Sequence, residues 1–216
     1  MDEVALMAVS KVHPVEFLLE AYEAGQRLFG ENRVQEFQGK STSLGGAFEG
    51  ADRASFHLIG PLQSNKTSKA AELFDAIDTV DSLKTAERLA ARAGELGKLL
   101  PVLIEVKLSH EASKHGVAPG DLPGLLGEIA AVDPAPGMGR IEVRGLMTVP
   151  PWTEDAELAR PYFHHLRELR DGLQPRFPAL RELSMGMSND FVVAIEEGST
   201  CVRIGTAIFG RRTMPT

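Results

Sequence analysis

The sequence predicts a closed (β/α)8 barrel formed as a single domain over residues 1–216. Three observations carry that expectation. Short β-rich runs alternate with helical periodicity along the chain. Several runs are nearly all apolar, the pattern of parallel strands covered on both faces. The first strand leads into "SKVHP", which lacks the Gly-rich fingerprint that an open doubly wound sheet usually carries there. The 216 residues give about 27 per unit, compact for a barrel and leaving little room for a second domain.

The strands are expected at "VALMAVSK" (4–11), "LFGEN" (28–32), "FHLIGP" (56–61) and "AIDTVD" (76–81). The second half supplies "PVLIEVKL" (101–108), "EVRGLMTV" (142–149), "ELSMG" (182–186) and "CVRIGTAIFG" (201–210). Pro14 suits the first turn of a helix, where its missing N–H is harmless. Over 82–97, Leu83, Ala86, Leu89, Ala90, Ala93 and Leu96 fall on one stripe, and Gly97 suits the C-terminal cap. Residues 155–173 repeat the pattern with Ala159, Tyr162, Phe163, Leu166, Leu169 and Leu173, and a short helix over 188–198 ends at Gly198.

Composition narrows the function classes. With 43% hydrophobic and 25% charged residues the balance is globular. No window holds the roughly 18 apolar residues of a membrane helix, and the acidic "MDEVALMAVSK" is patterned as a strand, unlike a signal peptide. The net charge of −7 argues against nucleic-acid or membrane partners while leaving room for a local phosphate pocket. The single Cys201 excludes an internal disulfide and fits a reducing cytoplasm.

Barrel sites sit at the C-terminal ends of strands. The polar residues there are Lys11, Glu31 and Asn32, His57, Asp81, Lys107, Thr148, Ser184 with Ser188, and Arg203 through Thr206. Any one of them, alone, is more readily a residue facing water. Lys11 is harder to dismiss, because a lysine among buried neighbours is pushed toward its neutral, nucleophilic form. Such an amine forms a Schiff base with a carbonyl compound. Two chemistries stay open on this ground: a cofactor-free class I aldolase, and capture of pyridoxal 5′-phosphate.

Both need a phosphate cradle. "SMGMSND" (184–190) is a Gly-containing turn leading into a helix, and "RIGT" gives a second such turn at Gly205-Thr206. The last two βα loops are a recurring phosphate site in barrels. Arg203 shares a strand face with Gly205. An arginine beside a pyridine nitrogen cannot take its proton, so the ring stays a weak electron sink. The alternative for Arg203 is a salt bridge with a neighbouring carboxylate. No histidine pair has metal-ligand spacing, and "HEASKHG" (110–116) does not match a zinc-helix signature.

Six ordered blocks then carry a resemblance: "MAVSKVHP", "LFGENRVQE", "FHLIGPLQSNK", "GLMTV", "LSMGMSND" and "GSTCVRIGTAIFG". Together, from Val4 to Gly210, they resemble the pyridoxal phosphate homeostasis protein family, whose fold is similar to the barrel domain of alanine racemase. The resemblance implies that Lys11 carries pyridoxal 5′-phosphate as a Schiff base. It implies that Ser188 and Gly205-Thr206 bind the phosphate, that Arg203 faces the ring nitrogen, and that Asn32 and His57 line the pocket. It also implies that Lys114 in "ASKHG" stands near the mouth, with a role in passing the cofactor on.

The function so implied is intracellular pyridoxal phosphate homeostasis, with apo enzymes that use this cofactor as recipients and a monomeric protein. It leans away from catalysis. A racemase of this type works with a tyrosine opposite the lysine, and the chain has only Tyr22 and Tyr162, both in helical segments. A racemase using the same cofactor is the first alternative and the aldolase the second. Against the family's pattern, the helix that usually precedes the first strand is expected to be absent. Phe56 replaces a usual tryptophan, His13 replaces a common lysine or other polar residue, and the usual asparagine after the fifth strand is missing.

Overall fold

The computed structural model describes residues 4–44, 52–109, 115–132 and 140–210. Within them, eight parallel strands close into a barrel in sequence order. The strands are β1 (Ala5–Val9), β2 (Leu28–Glu31), β3 (Ser55–Leu58), β4 (Ala76–Val80), β5 (Leu100–Glu105), β6 (Ile141–Met147), β7 (Glu182–Met187) and β8 (Cys201–Ile204). Each expected strand is present. β8 is shorter than expected, because residues 206–209 of the apolar run "CVRIGTAIFG" turn into a helix after Gly205.

The helices are α1 (Val15–Glu23), α2 (Val34–Leu44), α3 (Thr67–Leu73), α4 (Leu83–Glu95), α5 (Leu122–Ala131), α6 (Arg160–Leu173), α7 (Phe191–Glu196) and α8 (Thr206–Phe209). Pro14 sits at the N-cap of α1, one residue before the first helical turn. The stripe of α4 is buried at Ala86, Leu89 and Ala93, whereas Leu96 falls at the C-cap and is exposed. Gly97 ends that helix at φ +64°, the left-handed conformation that favours glycine. None of the described helices is long and apolar enough to cross a membrane.

The main core lies between barrel and helices. Phe29, Phe37, Phe56 and Phe74 pack there, Phe37 lying 4.7 Å from both Phe56 and Phe74 between ring centroids. Aromatic contacts of this kind add about 0.5–1.5 kcal/mol beyond area burial. Phe56 in place of tryptophan therefore keeps an aromatic ring in the same packed layer.

Closure brings the two ends of the barrel together. β1 pairs with β8 in the register Met7↔Arg203. Met7, Val9 and Lys11 share one strand parity, as do Arg203 and Gly205. Side chains of that parity belong to the barrel interior and its mouth.

Candidate functional site

A cavity of about 790 Å³ opens at the C-terminal ends of the strands. Its walls bring together Lys11, Asn32, Ser188, Arg203, Gly205 and Thr206, six of the residues singled out from the sequence. They come from the ends of β1, β2, β7 and β8, so chain closure gathers them.

Lys11 sits in a tight turn. The His13 N–H donates to the Ser10 carbonyl at 3.1 Å, and Val12 between them has φ +60°. A β-branched residue in this region is an outlier, typically held by its surroundings at a cost of about 1–3 kcal/mol. Those surroundings are visible. Lys40 of α2, nearly buried, donates to the Ser10 carbonyl and to Glu31 Oε1, each at 2.8 Å. It also pairs with Glu36 Oε1 at 2.8 Å, and that same oxygen accepts the Val12 N–H at 2.5 Å.

Ser10 Oγ donates to Glu31 Oε1 at 2.8 Å. Glu31 is fully buried, and burial pushes its carboxyl above the usual range against the pull of Lys40 and Ser10. Its Oε2 has no hydrogen-bond partner.

Asn32 is seated by a close approach. The following loop passes so near that a Cβ on Gly60 would lie 2.2 Å from the Asn32 carbonyl oxygen. Only glycine fits that position.

Arg203 is almost wholly buried, with Nη1 donating to Ser184 Oγ at 2.7 Å and Nη2 to the Thr148 carbonyl at 2.8 Å. Both acceptors are neutral, and no salt bridge of Arg203 occurs among the described residues. Burial lowers its pKa from the ordinary value, opposed by Cys201, Asp78, Glu105 and Asp190. An arginine so held remains a cation.

The β7 and β8 loops meet at Ser188, whose Oγ accepts the Ala207 N–H at 3.4 Å, a long and weak contact. The Met187 N–H donates to Asp190 Oδ1 at 2.6 Å, tying that loop back on itself. Gly186 serves packing: it has φ +94°, and an added Cβ would fall 2.5 Å from Ala194 Cβ.

His57 does not line the mouth cavity. It shares the parity of Ile59, which does, and lies one layer deeper, its Nδ1 3.1 Å from Asp78 Oδ1. Asp81 and Ser184 do not line it either, whereas Lys107 does. Lys114 lies outside the described residues. Tyr22 and Tyr162 belong to α1 and α6 and do not reach the cavity.

Sequence reasoning missed Glu105, His115, Trp152 and Asn189, which also line the cavity. Glu105 was within reach, since it precedes Lys107 by two residues on the same strand face. Trp152 is 75% exposed at the rim, and no periodicity marks such a loop residue.

Residues 1–213 match the family model described as alanine racemase, N-terminal domain. The chain is 44% identical over 211 residues to the pyridoxal phosphate homeostasis protein of Vibrio alginolyticus, covering 98% of this chain and 88% of that one. It is 46% identical to the protein of the same name from Vibrio cholerae, over 98% of this chain and 86% of the relative.

Among solved structures, PipY of Synechococcus elongatus with pyridoxal phosphate bound superposes with a TM-score of 0.85 at 42% identity, covering 96% of this chain and 92% of PipY. An alanine racemase of Clostridium difficile superposes with a TM-score of 0.75 over 99% of this chain and 53% of its own; at 14% identity that likeness shows the fold alone. The chain belongs to the family of pyridoxal phosphate homeostasis proteins, built on the alanine racemase N-terminal barrel.

Proposed function

We propose that this chain binds pyridoxal 5′-phosphate at the barrel mouth through Lys11 and acts as a carrier in pyridoxal phosphate homeostasis. The observation that carries the reading is one cavity lined by Lys11, Arg203, Ser188, Gly205 and Thr206. The donor set fits the cofactor. Two hydroxyls and the weakly satisfied Ala207 N–H suit a phosphate, a lysine suits an aldehyde, and a buried arginine suits a ring nitrogen that carries no proton. PipY, a relative of 42% identity, has been solved with this cofactor bound.

Bound there, the cofactor supplies an aldehyde that primary amines attack reversibly and a ring able to accept electrons. The chain's residues do the rest. Ser188, Gly205 and Thr206 would hold the phosphate, Lys11 would present its amine to the aldehyde, and Asn32 would border the ring. Arg203, fastened by Ser184 and Thr148, would donate a hydrogen bond toward the ring nitrogen while keeping its proton at neutral pH. That weakens the electron sink that racemisation needs. The positions of both tyrosines, away from the cavity, favour the carrier over the racemase.

On this reading residues 1–216 act as one domain, a monomer in the cytoplasm that serves apo enzymes as recipients. Neither nucleic acid nor membrane takes part. Lys114 assists transfer. His57, paired with Asp78 beneath the cavity, is given no direct contact with the cofactor in this reading.

The test is borohydride reduction of the full chain after addition of pyridoxal 5′-phosphate, with mass spectrometry to locate the adduct. The adduct is expected on Lys11 and absent from Lys11→Ala. An unchanged visible spectrum in Lys11→Ala overturns the assignment. Absence of any cofactor spectrum favours the aldolase, and robust racemisation of a free amino acid favours the racemase.

A further inference from the structure

The turn that carries Lys11 is gripped on both sides of that residue. On one side the Ser10 carbonyl accepts from Lys40 Nζ and Ser10 Oγ donates to Glu31. On the other the Val12 N–H donates to Glu36 Oε1. Glu31, Glu36 and Lys40 are themselves one unit, since the single ammonium reaches both carboxylates and the Ser10 carbonyl, each at 2.8 Å. An ammonium has three donors, and here each has a built acceptor.

Two features show that this arrangement serves more than packing. A buried charged set of this kind is often no more stable than apolar residues of similar volume, so stability alone does not explain it. Its ligand atoms also converge on the backbone next to Lys11, including the strained Val12. We propose that Glu31, Glu36 and Lys40 are positioning residues that lock the Ser10–His13 turn and thereby aim the Lys11 amine into the mouth cavity. The proposal rests on the reading of Lys11 as the cofactor-holding lysine. None of the three touches the cofactor; they act through the backbone of Ser10 and Val12.

Glu36 is the informative site, because its side chain is partly exposed and its removal strands no buried carboxylate. The full-length protein and its Glu36→Ala, Glu36→Gln and Lys40→Met variants are compared in two measurements. The first, without cofactor, is amide hydrogen exchange at Val12. Exchange is expected to be at least about tenfold faster in Glu36→Ala and near the parent rate in Glu36→Gln, whose amide oxygen still accepts.

The second is the release of pyridoxal 5′-phosphate into excess semicarbazide, followed by visible absorbance. Release is expected to be at least about tenfold faster in Glu36→Ala and Lys40→Met, and within about twofold of the parent in Glu36→Gln. Parent-like release in both disruptive variants overturns the proposal, as does unchanged Val12 exchange in Glu36→Ala. If the parent protein itself gains no adduct on Lys11, the functional reading fails, and Val12 exchange still decides whether the unit locks the turn.

Discussion

His57 and Asp78 face each other inside the barrel, Nδ1 3.1 Å from Oδ1, in the layer beneath the mouth cavity. Burial works against a charged imidazole there. The Asp78 carboxylate more than offsets it, helped by Asp75 and Glu182, and the pKa of His57 rises above its ordinary value. A folded-state value above the unfolded one means that folding favours the protonated form.

The stabilisation is therefore fully present below the unfolded value of about 6.5 and is lost as pH rises through the higher folded value. The stability gap between the parent and His57→Gln, from urea unfolding, is expected to narrow between pH 6 and pH 9. A gap independent of pH would show that folding leaves the pKa of His57 unchanged, and a gap that widens with pH would show that His57 is held neutral.

Lys40 and Glu31 make the sharpest stability prediction. Lys40→Met leaves Glu31 charged and buried without its main partner, a loss of about 3–5 kcal/mol. Glu31→Gln with Lys40→Met removes both charges and is expected to recover most of that loss. Denaturant unfolding of the two single variants and the double variant measures the coupling. The Lys40→Met defect is also expected to shrink in mild acid, where Glu31 takes up a proton.

Gly186 has no tolerance for a side chain. Alanine there meets both the φ of +94° and Ala194 Cβ at 2.5 Å, so Gly186→Ala is expected to lose about 2–4 kcal/mol from strain and overpacking together. Adding Ala194→Gly relieves the clash and leaves the backbone penalty. Partial recovery in chemical denaturation is the expected result.

Burial pushes the Cys201 thiol up to about 12. At pH 8 that leaves a thiolate fraction of about one in ten thousand. Iodoacetamide is expected to label the half-buried Cys201 slowly in the folded protein and rapidly in denaturant. Mass spectrometry of a labelling time course reads both rates.

The barrel was legible because parallel strands buried on both faces write themselves as apolar runs, as in "PVLIEVKL". The end of β8 was not, because "GTAIFG" is equally apolar as strand or short helix, and the choice falls to Gly205 and the ring closure. At the site, Lys11, Ser188, Arg203 and Thr206 were readable from strand ends. His57 was harder, since strand parity says inward but not how deep. The grip on the Lys11 turn was invisible, because it joins Ser10 to Lys40 across thirty positions by a side-chain bond that no local pattern encodes.

Pairing of β1 with β8 sets Met7 beside Arg203, joining residues from the two ends of the chain. During synthesis the amine of Lys11 emerges first, whereas its buried arginine and the second glycine turn emerge last. On the proposed reading, a nascent chain halted before Gly205 carries Lys11 without the second glycine turn of its phosphate cradle. On that reading, loading has to wait until β8 has been made and paired with β1, so cofactor capture would report that the ring has closed.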